Sequence, residues 1–110
     1  MADGTAGGPA DEPSASPEGE TVLHRTLTIV NRRGLHARAA AKFVATAERF
    51  GASVDVLKDG QSVAARSIMG LMMLGAGIGS QIELRAEGWD AKQAMDALTT
   101  LVEAGFHEQD

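Results

Sequence analysis

The chain has 110 residues, a formal net charge of −5 and no cysteine. That length suits one domain with a core able to fold alone. The missing thiols exclude disulfides, thiolate catalysis and cysteine-held metals, and the acidic balance argues against nucleic acid as the main partner. No run reaches the length of a membrane span and no basic-then-apolar leader opens the chain, so a cytoplasmic protein without membrane contact is expected.

Residues 1–20 (MADGTAGGPADEPSASPEGE) hold all three prolines and five acidic residues, with no Lys or Arg. With no large aliphatic side chain after Met1, burial cannot offset the entropy of ordering them. They read as a disordered acidic tail, leaving a formally neutral domain over residues 21–110.

Leu23, Leu27 and Ile29 share one side of an alternating run, which predicts a half-buried strand over 22–30. Ala40, Phe43, Val44, Ala47 and Phe50 recur at helical spacing before Gly51, predicting a helix over 37–50. Val54 and Val56, then Val63 and Ala65, mark two strands joined by Asp59-Gly60, a strong hairpin signal. Ser67 is placed to cap a short helix, Ile68-Met69-Gly70-Leu71-Met72-Met73-Leu74. Gly75-Ala76-Gly77-Ile78-Gly79 follows a helix and precedes a strand, so it reads as a turn and not as a phosphate loop. Ile82, Leu84 and Ala86 alternate with polar residues in a fourth strand, and Asp90 opens a last helix striped by Ala91, Ala94, Met95, Leu98, Leu101 and Val102, ending at Gly105.

The order β-α-β-β-α-β-α, with one-sided strands, implies an α+β open-faced sandwich: a four-stranded antiparallel sheet covered on one face by three helices. The third helix should lie beside the first.

His36 stands between the first strand and the first helix, in Arg33-Gly34-Leu35-His36-Ala37-Arg38. A neutral imidazole nitrogen is a nucleophile near neutral pH. A phosphoryl group landing there would meet the free amides of a helix start, with Arg38 two residues on to hold its charge. A capping surface histidine is the plain alternative. His24 and His107 lie far from it in sequence, no residues have metal-ligand spacing, and no paired carboxylate or second base is in evidence near it, which disfavours a metal site and an autonomous acid-base enzyme. Met69, Met72 and Met73 suit either core or an adaptable docking face.

The segment from Asn31 to Ala40 resembles the active-site loop of the HPr family, the histidine phosphocarriers of the bacterial phosphoenolpyruvate-dependent phosphotransferase system, whose pattern is Gly-Leu-His-x-Arg-Pro-Ala. Arg66-Ser67-Ile68-Met69-Gly70 is similar to that family's regulatory-serine segment. The resemblance covers residues 22–106 and implies a carrier, not an enzyme, that needs no cofactor and no metal. His36 would accept phosphate on Nδ1 from phosphorylated Enzyme I and pass it to an EIIA-type protein. Arg38 would steady the phosphate, with Gly34, Ala37 and Ala39 shaping the loop. Ser67 would be open to an HPr kinase/phosphorylase, and Ala37, Arg38, Ala41, Ile68, Met69 and Met72 would meet partners. Ala39 departs from the family's usual proline. With the Ser-Ile-Met-Gly-Leu-Met-Met-Leu run, it is similar to the nitrogen-related (NPr) branch. The other reading the sequence leaves is a regulatory docking module of the same fold with no obligatory transfer. A monomer is expected, since the docking face accounts for the apolar surface.

Overall fold

The computed structural model describes residues 14–15 and 21–108 of the chain. Its elements are β1 (Ser14–Ala15), β2 (Thr21–Thr28), α1 (Ala37–Ala47), β3 (Ser53–Lys58), β4 (Gln61–Ala64), α2 (Ile68–Met73), β5 (Gln81–Glu87) and α3 (Ala91–Glu103), then a single 3-10 turn, Gly105–His107. The sheet runs β1-β2-β5-β3-β4 with every pair antiparallel. Its four principal strands and three helices form the expected open-faced sandwich. The disordered tail expected over 1–20 lies outside the described residues except at β1, where Ser14 and Ala15 pair with Val22 and Thr21.

Register explains which residues reach the core. Leu23 lies opposite Ala86 and Leu27 opposite Ile82, while Val54 and Val56 meet Ala86 and Leu84 from the other side of β5. These rows face the helices, and Ile29, Phe43, Val56, Leu84, Leu98 and Phe106 are fully buried between the layers. Arg25 occupies the same inward row. Its guanidinium escapes the apolar layer by donating to Thr99 Oγ1 at 2.7 Å and Asp96 Oδ1 at 3.3 Å on α3. On the open face, Glu83 accepts from Arg85 Nε at 3.3 Å and lies 3.0 Å from His24 Nδ1.

Several boundaries differ from expectation, those of β2 and α1 for reasons the backbone bonds show. Strand β2 stops at Thr28 because Ile29 turns to exchange backbone bonds with the loop after α2: its N–H donates to Ser80 O and its carbonyl accepts from Gly79 N–H, both at 2.8 Å. Helix α1 gives way after Ala47 to tightened turns, Arg49 N–H to Thr46 O and Phe50 N–H to Ala47 O.

The loop after α2 is a wall for the start of α1. Leu35 N–H donates to Ala76 O at 2.9 Å, and Gly34 adopts φ +67. A Cβ at Gly34 would lie 2.3 Å from Ala76 O and 2.8 Å from Gly77 Cα, against backbone on both counts. Glycine is required there twice over, for the left-handed backbone and for the close approach. Gly34→Ala is expected to cost about 3 kcal/mol, combining the positive φ with overpacking. A urea midpoint unchanged from wild type would refute this account of the loop.

Candidate functional site

His36 is the N-cap of α1, in extended backbone at φ −74 and ψ 177, and its imidazole makes no capping bond to its own helix. The first intrahelical bond is Ala40 N–H to His36 O at 2.8 Å, so the amides of residues 37–39 have no helical partner. Arg38 is exposed, and it makes no ion pair among the described residues. Ala37 and Ala41 are exposed as well, whereas Ala39 is fully buried.

Beside α1, α2 displays an apolar surface. Met69 is 69% exposed and Met73 75%, with Ile68 and Met72 less so, while Leu71 and Leu74 fill the core. The three methionines thus belong to the surface, not the core. Val30 and Ile78 add further exposed apolar area. Ser67 accepts from Gly70 N–H at 2.9 Å and caps α2 as expected.

One carboxylate contradicts the expectation that none stands near His36. Glu108 Oε2 is in hydrogen-bonding contact with His36 Nε2, and Oε1 of the same carboxylate accepts from Asn31 Nδ2 at 3.1 Å. Asn31 is buried and also donates to Gly34 O at 2.9 Å, so one amide group ties the glycine loop to the C-terminal segment. The chain reaches this point through three successive left-handed residues, Gly105, Phe106 and His107.

For the two non-glycine residues that conformation costs about 1–2 kcal/mol each. Complete burial of the Phe106 ring returns about 1.5–3 kcal/mol, and Lys42 Nζ donates to Phe106 O at 2.6 Å. Gly105 is legible in the sequence as a helix stop. Left-handed Phe106 and His107 carry no sequence signal, so the position of Glu108 had none either.

The contact with His36, the Asn31 amide and the nearby Arg33 charge hold the Glu108 carboxyl below its ordinary value of 4.5. A depressed carboxylate contributes stability that is complete above that ordinary value and lost as pH falls through the lower folded one. The C-terminal contact is therefore expected to persist at pH 4.5 and to open only in stronger acid. A carbon-detected titration of the Glu108 carboxyl with its midpoint at or above 4.5 would refute it.

Among the described residues there is no cluster able to hold a metal ion and no helix long and apolar enough to cross a membrane. The arrangement is a partly buried imidazole at a helix mouth, anchored through one ring nitrogen, beside an exposed cation and an apolar face.

Residues 23–104 match the family model described as the PTS HPr component phosphorylation site. A phosphocarrier protein HPr of Cupriavidus necator is 48% identical over 87 residues, covering 79% of this chain and 98% of that protein. A phosphocarrier protein NPr of Shewanella violacea is 43% identical over 88 residues, covering 80% and 97%. The crystal structure of an HPr from Thermoanaerobacter tengcongensis superposes with a TM-score of 0.76 at 46% identity, covering 79% of this chain and 98% of that one. Such proteins carry phosphoryl groups and are not enzymes. A histidine at a helix mouth, the sheet order and these matches agree: the chain belongs to the HPr family of phosphotransferase-system phosphocarriers.

Proposed function

We propose that His36 accepts a phosphoryl group on Nδ1 from phosphorylated Enzyme I in the cytoplasm and hands it to an EIIA-type protein of the nitrogen-related phosphotransferase system. The observation that carries this reading is the engagement of Nε2 by Glu108, which leaves Nδ1 as the ring nitrogen with a lone pair to offer. In the forward step that lone pair forms the N–P bond. The bond from phosphorus to the donor breaks, and its electron pair stays with the donor atom. Transfer to the acceptor reverses the same exchange.

The α1 mouth can stabilise the phosphoryl charge by about 0.3–1 kcal/mol through the helix dipole. Arg38 adds about 1.5–3 kcal/mol if it swings onto the phosphoryl oxygens. Gly34 fixes the approach of the loop, and Ala37 and Ala39 line it. Ala37, Arg38, Ala41, Ile68, Met69 and Met72 form the docking face, whose exposed methionines suit more than one partner. Alanine at position 39 and the Ser67–Leu74 run support the nitrogen-related branch.

Ser67 is the proposed target of an HPr kinase/phosphorylase. The free amides at the start of α2 would tolerate the phosphate, while its roughly two negative charges would sit beside the apolar docking face. Partner binding should suffer before stability does.

Incubation with phosphoenolpyruvate and Enzyme I should add one acid-labile phosphoryl group by intact mass, and none to His36→Ala. An unmodified wild-type chain, with an Enzyme I active on another carrier, would transfer the case to a docking module. Ser67→Asp should lower the efficiency of phosphorylation by Enzyme I about tenfold, the equivalent of 1.4 kcal/mol of docking. A normal rate would remove Ser67 from regulation.

A further inference from the structure

Glu108 is held from several directions. Its two carboxylate oxygens serve different partners, His36 and Asn31. The residue two before it is a fully buried ring in left-handed backbone, tied through its carbonyl to Lys42 on α1. The side chains of His36 and Glu108 are only 15% and 10% exposed. A carboxylate placed this firmly against one ring nitrogen has a chemical consequence, because an ionised carboxylate only accepts. The shared proton then belongs to Nε2, and in the neutral imidazole Nδ1 is the bare nitrogen.

We infer that Glu108 is a positioning residue for phosphoryl transfer: it holds His36 in the Nε2–H tautomer, aims Nδ1 at the donor, and balances the positive charge the ring gains when Nδ1 bonds to phosphorus. This rests on the carrier reading of His36. No proton need move during the step. The Nδ1 pair forms the N–P bond, the donor keeps the pair of the bond that breaks, and the Nε2 proton stays between imidazole and carboxylate throughout. Serine hydrolases orient their histidine by the same logic, a carboxylate on one ring nitrogen fixing the role of the other. Supporting carboxylates of metal-bound histidines do likewise.

The same Asn31 side chain bonds both Glu108 and Gly34 O, so the anchor of the ring and the glycine loop move together. The orientation of His36 is thereby set by residues from both ends of the domain.

The test compares the full chain with Glu108→Gln and Glu108→Ala in two measurements. Long-range nitrogen–proton spectra of the His36 ring, needing no donor, should show the Nε2–H tautomer in wild type and a mixture in Glu108→Ala. Initial rates with phosphorylated Enzyme I should fall about tenfold in Glu108→Ala, with KM for Enzyme I unchanged. Glu108→Gln should lie between, since its amide oxygen still accepts the Nε2 proton but carries no charge. A thermal midpoint close to wild type in Glu108→Ala separates positioning from folding. An unchanged tautomer, or a rate equal to or above wild type while His36 is still phosphorylated, would overturn the role of Glu108 alone. A wild-type chain left unmodified by an active donor would instead overturn the carrier reading beneath it.

Discussion

The site depends first on a backbone contact with no side chain between its partners. Gly34 approaches Ala76 and Gly77 so closely that a methyl group could not be accommodated, and the adjacent Leu35 N–H closes the contact on Ala76 O. Everything that follows in α1 takes its position from that point. The helix begins two residues later, so its free amides and His36 are fixed relative to the loop after α2, and hence to the exposed face of α2 itself. On the docking reading proposed above, a partner resting on the exposed Met69 and Met72 would meet the imidazole at a set distance, with no hinge between recognition and chemistry.

The second constraint comes from the far end of the chain. Helix α3 stops at Glu103, and three left-handed residues turn the chain back towards the start of α1. Ordinarily two non-glycine residues in that conformation would relax. Here the buried Phe106 ring and the Lys42 bond to its carbonyl hold them, and the result is a carboxylate at the imidazole. Strain of this kind persists only where surrounding contacts over-determine it. Here those contacts are core packing on one side and the Asn31–Glu108–His36 network on the other.

Much of this was legible in sequence, for local reasons. Alternation located β2, β3, β4 and β5, helical spacing located α1 and α3, and Ser67 and Gly105 marked ends whose chemistry is short-range. The His36 motif combines a required glycine, a capping position and a nearby cation within five residues, so it too is local. Arg25 was less legible: the alternation around it is apolar, and only the packed helix supplies the Thr99 and Asp96 partners that let a guanidinium sit on the inward face. The methionines of α2 could not be divided between core and surface from spacing alone, because a helix of six residues has too few turns to define a stripe. Glu108 was invisible. It lies 72 residues from His36, and the left-handed turn that brings it back uses residues with no preference for that conformation.

These features bear on why a carrier would be built in this way. A phosphoryl group held for transfer must be stable enough to survive the search for a partner and labile enough to leave, so no term at the site can be large. The helix mouth supplies only about 0.3–1 kcal/mol, Arg38 is exposed to solvent, and Ala39, buried in the first turn of α1, lacks the preorganised ring that a proline would bring there. Glu108 works on the opposite nitrogen, where it supports the positive ring without touching the phosphoryl oxygens. Its charge also repels the phosphoryl group across the ring, a milder effect at the longer distance. The same carboxylate therefore eases arrival by fixing the nucleophile, while the longer-range repulsion trims part of the support it gives the charged ring, so its net hold on the bound state stays modest, as reversible carriage requires.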